Sequence, residues 1–286
     1  MKDRIVIVTG ATNGIGLVAA RELARQSATV VMVSRSADKL ARAAEQIQRE
    51  TGNGSVETIA ADLSLMSQVN AAADAFLARH QRLDVLLNNA GAYYDKRQLT
   101  AEGLEMTFAL NHLSYFLLTQ RLLETLKTTA AAHGEARIIN VSSDAHRVGQ
   151  VNFDDIQRQK GYNGFRVYGE SKLMNVLFTY KLASVLEGTR VTANALHPGF
   201  VRTGFGQGSS GGLAGKFIGL LQTFALTPEQ GAETSIYLAS SPKVKGVTGQ
   251  YWVKKNAVRS SAASYDRAAQ ERLWTLSEQL VGLRTI

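Results

Sequence analysis

The chain has no cysteine and only three prolines. The first absence excludes disulfides, thiolate metal sites and cysteine nucleophiles, and it accords with a reducing compartment. The second excludes a proline-rich spacer between domains. No run approaches the ~18 consecutive apolar residues of a membrane span, so no stable membrane insertion is expected. Internal repeats, low-complexity tracts, nucleic-acid signatures and metal-ligand patterns are also missing from the sequence. The first expected strand opens by about residue 4, which leaves no room for a signal peptide, and a cytoplasmic monomer or homodimer is the expectation. The formal charge is +8, but acidic residues are interspersed with the basic ones. Most of that charge is therefore expected to be solvated surface, with a general attraction for anionic ligands.

What is present is organised around residues 5 to 16. Ile5 to Val8 is a β-branched apolar run, the pattern of a strand buried on both faces. Gly10, Gly14 and Gly16 follow, and Leu17 to Arg25 reads as a helix. A glycine-rich turn between strand and helix points backbone N–H groups at an anion near the positive end of the helix dipole. Gly10, Thr12, Asn13, Gly14, Ile15 and Gly16 are the expected pyrophosphate-binding turn of a dinucleotide site. An ordinary strand–helix loop is the alternative reading. A second strand, Thr29 to Val33, ends in Ser34-Arg35 where a carboxylate would hold an unphosphorylated ribose. A hydroxyl and a guanidinium suit a 2′-phosphate instead, so NADP(H) is the expected cofactor; the alternative is a solvated arginine.

Further strands and helices alternate along the chain. Strand 56 to 61 ends in Asp62-Leu63, which could meet an adenine edge or, equally, cap the next helix. Strand 84 to 87 ends in Asn88-Asn89-Ala90-Gly91, where small and amide side chains suit a close approach of ligand or neighbouring strand, sheet bracing being the stronger part of that reading. A helix over 101 to 128 carries Asn111 on an otherwise apolar face, and a buried amide must find partners or cost roughly 1–3 kcal/mol. Strand 137 to 141 delivers Ser142-Ser143 at its carboxyl end, where ligands bind in open α/β sheets. Tyr168 and Lys172, at the start of a helix to about residue 186, share one helical face. An ammonium there is expected to lower the phenol from its ordinary pKa of ~10. Strand 190 to 196 leads into His197-Pro198-Gly199-Phe200-Val201-Arg202-Thr203, a tight turn whose Val201 and Thr203 could face a ligand ring. His197 itself reads as a turn brace. Residues 204 to 226 are glycine-rich and then apolar, the pattern of a hinged lid over a lipophilic substrate. A helix over 228 to 240, a strand over 250 to 253 and a helix over 262 to 281 complete the chain. This alternation predicts one Rossmann-type, doubly wound α/β domain over residues 1–286, with about seven parallel strands in order 3-2-1-4-5-6-7 and helices on both faces.

Taken in order, the residues resemble the short-chain dehydrogenase/reductase superfamily. The matching motifs are Thr9-Gly10-x-x-x-Gly14-Ile15-Gly16, Asn88-Asn89-Ala90-Gly91, Asn111, Ser143, Tyr168-x-x-x-Lys172 and Pro198-Gly199-x-Val201-x-Thr203. Ser142-Ser143-Asp144-Ala145-His146, the wide gap from Ser143 to Tyr168, and Arg272-Leu273-Trp274 are similar to the retinol dehydrogenase and protochlorophyllide reductase branch. The chain departs from that branch in opening without a membrane anchor and in lacking the cysteines of the protochlorophyllide enzymes. The resemblance implies hydride transfer between a nicotinamide and a carbonyl or alcohol of a small molecule. It gives Tyr168 the proton, Lys172 the nicotinamide ribose, Ser143 the substrate oxygen and Asn111 a water linking Lys172 to solvent. It chooses Ser143 over Ser142, which strand position alone does not. Asn89, Ala90, Gly91, Pro198, Gly199, Val201 and Thr203 are implied cofactor contacts. The rival expectation is a non-catalytic NADP(H) sensor or scaffold.

Overall fold

The computed structural model describes residues 1–200 and 226–283. Val201, Thr203 and the expected lid, apart from Leu226, lie outside the described residues. The strands are β1 (Ile5–Thr9), β2 (Thr29–Ser34), β3 (Val56–Ala60), β4 (Val85–Asn88), β5 (Ala136–Val141), β6 (Val191–His197), β7 (Tyr251–Val253) and β8 (Asn256–Val258). They form one sheet in the order β3-β2-β1-β4-β5-β6-β7-β8. The first seven run parallel and β8 returns antiparallel to β7. The eighth strand departs from the seven expected. Lys254 and Lys255 make its two-residue turn with φ of 48° and 64°, a conformation that hairpins normally signal with Asn or Gly. No such signal is present in the sequence.

The helices are α1 (Gly14–Arg25), α2 (Ala37–Thr51), α3 (Met66–Leu77), the single turn α4 (Met106–Phe108), α5 (Ser114–His133), α6 (Gly164–Val185), α7 (Pro228–Ser240) and α8 (Arg267–Leu280). Val6, Ile7 and Val8 are 1% exposed or less, because both sheet faces are covered, as a parallel sheet requires. On one face Val6, Val8 and Met32 pack with Leu23 of α1 and Ile47 of α2. On the other, Ile7, Leu86 and Ile138 pack with Phe76, Phe116 and Phe178 of α3, α5 and α6. Burying each such side chain stabilises the fold by about 1.5–3 kcal/mol.

Three expected helices have different bounds. The helix expected over 101 to 128 starts only at Met106, because the buried carboxylate of Glu105 accepts from Thr107 N at 3.0 Å and Phe108 N at 2.8 Å. Residues Ala109–Leu113 then form a π-helical segment before α5. The helix expected to open near Tyr168 begins at Gly164, capped by Asn163 through Arg166 N at 3.0 Å. The last helix is divided: a 3-10 turn, Ala262–Tyr265, precedes α8, whose cap is Asp266.

Candidate active site

The glycine turn occupies the carboxyl edge of the sheet at its centre. Gly10 and Gly14 have φ of 65° and 51°, a region that favours residues without a Cβ. A Cβ on Gly16 would lie 2.3 Å from the Gly10 carbonyl oxygen, so the helix can approach the turn this closely only with glycine there. Asn13 caps α1 without a side-chain hydrogen bond, and no acidic residue occupies the first turn. The leading amides of α1 are thus left for an anion, which is the donor set a pyrophosphate needs. Thr12 Oγ1 lies 3.1 Å from Ser34 Oγ, joining the turn to the end of β2. Beside it Arg35 is exposed and makes no ion pair among the described residues. This cationic end fits a 2′-phosphate by charge.

Several expected cofactor residues are engaged in bracing. Asn89 Nδ2 donates to Thr9 O at 2.8 Å, while Asn89 N and Ala90 N donate to Thr9 Oγ1 at 2.8 and 2.9 Å. These bonds tie the ends of β1 and β4. Asn88 Nδ2 donates to Thr119 Oγ1 and Asn140 Oδ1 at 3.1 and 2.9 Å, and so belongs to the sheet interior. Asp62 accepts from Ser64 N and Ser64 Oγ at 3.0 and 2.7 Å, which closes the turn ahead of α3; it does not cap that helix, whose first residue is Met66. Leu63 is buried. Pro198 and Gly199 follow β6 at the same edge, Gly199 with φ of 91°.

β5 and α6 bring together the side chains expected to react. Adjacent residues at the end of a strand point opposite ways. Ser142 Oγ donates to Lys172 O at 2.7 Å and fastens α6 to the sheet, whereas the Ser143 side chain hydrogen-bonds the Tyr168 phenol. Lys172 Nζ donates to Val141 O at 3.1 Å and sits 5.6 Å from the centre of the Tyr168 ring. Asn111, carried by the π-helical segment, accepts from Ala92 N at 2.9 Å and donates to Ala92 O and Ser171 Oγ at 2.9 and 3.0 Å. A Cβ on Gly91 would lie 3.2 Å from Asn111 Oδ1 and 3.4 Å from Lys172 Nζ, so this glycine leaves room for both.

The electrostatics differ from the expectation. Burial pushes the Tyr168 phenol up to about 12, opposed by the Ser143 hydrogen bond, and it pushes Lys172 down to about 7. The expected lowering of Tyr168 by an ammonium is therefore corrected: desolvation is the largest cause of both shifts. Groups without a clear sequence signal also gather here. Tyr115 is buried with Lys172 Nζ 5.9 Å from its ring centre. His197, expected as a turn brace, accepts from Asp144 N at 3.2 Å through Nδ1. His146 accompanied the family motif without a role of its own; it is fully buried against Ser143.

The short chain dehydrogenase family profile matches residues 4–211. Human (Homo sapiens) retinol dehydrogenase 14 is 40% identical over 298 residues, covering 99% of this chain and 88% of its own length. A crystal structure from Mycobacterium Paratuberculosis superposes with a TM-score of 0.79 at 33% identity, covering 98% of this chain and 94% of that one. The Pseudomonas aeruginosa RhlG/NADP active-site complex superposes with a TM-score of 0.69 at 27% identity, over 88% of this chain and 94% of that one. With that order of strands, that site at the sheet edge and likeness along nearly the whole length, the chain belongs to the short-chain dehydrogenase/reductase family, in its retinol dehydrogenase-like branch.

Proposed function

We propose that the protein is an NADP(H)-dependent oxidoreductase that interconverts a carbonyl and an alcohol on a lipophilic small molecule, with Tyr168 as general acid and base. The observation that carries this reading is the Ser143–Tyr168–Lys172 cluster beside a glycine turn with free helix amides, joined through Thr12 and Ser34 to the end of β2, which Arg35 follows. The bound nicotinamide would supply or accept the hydride. Gly10 to Gly16 would hold the pyrophosphate, Arg35 and Ser34 the 2′-phosphate, and Lys172 the nicotinamide ribose. Ser143 would donate to the substrate oxygen as negative charge develops on it. Tyr168, protonated at neutral pH because burial raises it to about 12, holds the proton a reduction needs at the phenol oxygen. The reverse reaction needs the phenolate, so oxidation of the alcohol should quicken as pH rises. Asn111 would hold a water through which Lys172, lowered to about 7, exchanges that proton with solvent.

A lipophilic substrate is favoured by the likeness to a retinol dehydrogenase. Among the described residues no helix is long and apolar enough to cross a membrane. The test is NADPH consumption with a panel of lipophilic and small carbonyl compounds. Tyr168→Phe keeps the ring and removes the proton donor, so turnover should fall by about 10²–10⁴-fold while NADPH binding persists. Retention of more than about a tenth of the turnover would place the proton on another group.

A further inference from the structure

We propose that His146 is a positioning residue for Ser143: its Nδ1 donor holds the serine carbonyl in its working geometry, and the Ser261 amide at Nε2 sets the tautomer that makes Nδ1 the donor. The proposal rests on the reading of Ser143 and Tyr168 given above. His146 is 0% exposed, and each ring nitrogen has one partner. Nδ1 lies 2.7 Å from Ser143 O, and Nε2 lies 3.0 Å from Ser261 N. A carbonyl oxygen only accepts and a backbone amide only donates, so the ring is neutral, protonated on Nδ1 and bare on Nε2. Its surroundings keep it so. Burial lowers its pKa first and Arg147 and His197 add to this, against the Ser143 carbonyl and Asp144. The Tyr251 ring of β7 packs 4.6 Å from it and holds its plane.

The Ser143 carbonyl is thereby bound twice, by Nδ1 and by His146 N at 3.0 Å. With the backbone fixed, Ser143 Oγ accepts from Ala145 N at 3.2 Å, and from there its hydroxyl lowers the Tyr168 pKa against the effect of burial. The Ser261 partner is distant in sequence, 115 residues from His146. Arg147 adds to the contact by donating to Arg259 O at 2.9 Å. Asp144 Oδ1, on the same loop, accepts from the Tyr251 hydroxyl at 3.2 Å. Displacing a reacting group by ~1 Å can cost about a hundredfold in rate, so a bond on the carbonyl of the serine itself bears on turnover as well as on stability.

Three variants separate the two bonds. His146→Asn keeps a donor near the Nδ1 position and is too short for Ser261. His146→Gln reaches Ser261 and lacks the Nδ1 donor. His146→Phe keeps the ring against Tyr251 and loses both. Turnover of a long-chain aliphatic aldehyde with NADPH should stay within about threefold in the Asn variant and fall about tenfold or more in the other two. KM for NADPH should not change. Because the Ser143 bond lowers the Tyr168 pKa, the midpoint for oxidation of the matching alcohol should move up by about half a pH unit or more in the Gln and Phe variants. Hydrogen exchange should show the Ala145 and His146 amides protected in the Asn variant and unprotected in the Gln variant. Turnover that merely follows Tm across the variants, with no pH shift, overturns the proposal and leaves His146 as a fold brace. If the unmutated protein turns over no carbonyl at all, the catalytic reading fails. The exchange pattern then still decides whether His146 positions the Ser143 carbonyl, and equal loss of protection in the Asn and Gln variants overturns that role. Should the Phe variant not fold, the Asn and Gln pair carries the comparison.

Discussion

Arg35, at the end of β2, makes no ion pair among the described residues, and as the proposed 2′-phosphate contact the sign of its charge should set which ribose is preferred. A guanidinium attracts a 2′-phosphate, whereas a carboxylate at this place would hold a 2′-hydroxyl and repel the phosphate. NADPH should therefore be preferred over NADH by about tenfold or more, about 1.4 kcal/mol, and Arg35→Asp should abolish or reverse that preference. Steady-state kinetics with both cofactors read it directly; equal kcat/KM values in the unmutated protein would refute the assignment. Residue identity was legible in the sequence wherever a short pattern repeats a known chemistry, as at Gly10 to Gly16. It did not decide between Ser142 and Ser143, since both sit at the end of one strand. Their orientations do: Ser142 faces Lys172 O and Ser143 faces Tyr168. Nor did it show the direction in which Tyr168 is shifted, because desolvation is a property of everything packed around a group.

α3 shows how an element can depend on a residue far outside it. Its Leu65 cap makes no side-chain hydrogen bond. The Glu102 carboxylate supplies the missing acceptors, taking Met66 N at 2.6 Å and Ser67 N at 3.0 Å. Glu102→Ala should lower stability by about 0.5–2 kcal/mol, the range for loss of a helix cap, without altering the site. Its carboxyl is held below the usual 4.5, burial opposing the hydrogen bonds from Ser67 and Met66. A lowered folded pKa contributes stability that is present above about 4.5 and is lost as pH falls through the folded value. The difference between wild-type and Glu102→Ala Tm should accordingly shrink on acidification below that point. A constant difference down to pH ~3 would show that the carboxylate charge is not what caps the helix. The starts of α4 and α6 differ from the expected bounds for a similar reason: Glu105 and Asn163 are caps, and capping carboxylates and amides also occur commonly on exposed surfaces.

At the scale of the whole molecule, a buried imidazole makes the fold sensitive to acid. His112 is fully buried between α5, α6 and α8, stacked on Phe108 and 2.9 Å from Ser277 Oγ, and desolvation lowers its pKa to about 3. His146 and His197 are lowered in the same direction, again chiefly by burial. The unfolded chain takes up protons below the ordinary histidine value of 6.5, while the native chain stays neutral at these sites. Their contribution to stability is thus complete above about 6.5 and is lost as pH falls from there toward the folded value, by up to about 1.4 kcal/mol per pH unit for His112. Chemical denaturation between pH ~4 and ~7 should show that slope, and His112→Gln should remove roughly one proton of it. An unchanged slope in the variant would mean that His112 is protonated in the native state. The sequence by itself determined the alternation of strands and helices and the positions of the motifs along it. Each of these is written in a contiguous stretch, where hydrophobic period and glycine placement act over a few residues. The β7–β8 hairpin, the Glu102 cap, the His146–Ser261 bond and the opposed shifts of Tyr168 and Lys172 were decided by tertiary structure. The first turns on a backbone conformation that Lys254-Lys255 does not signal, and the others on which distant groups meet, Glu102 being 36 residues from the amide it caps. Burial, the largest cause of each shift at the site, exists only once the sheet and its helices have closed around the side chains.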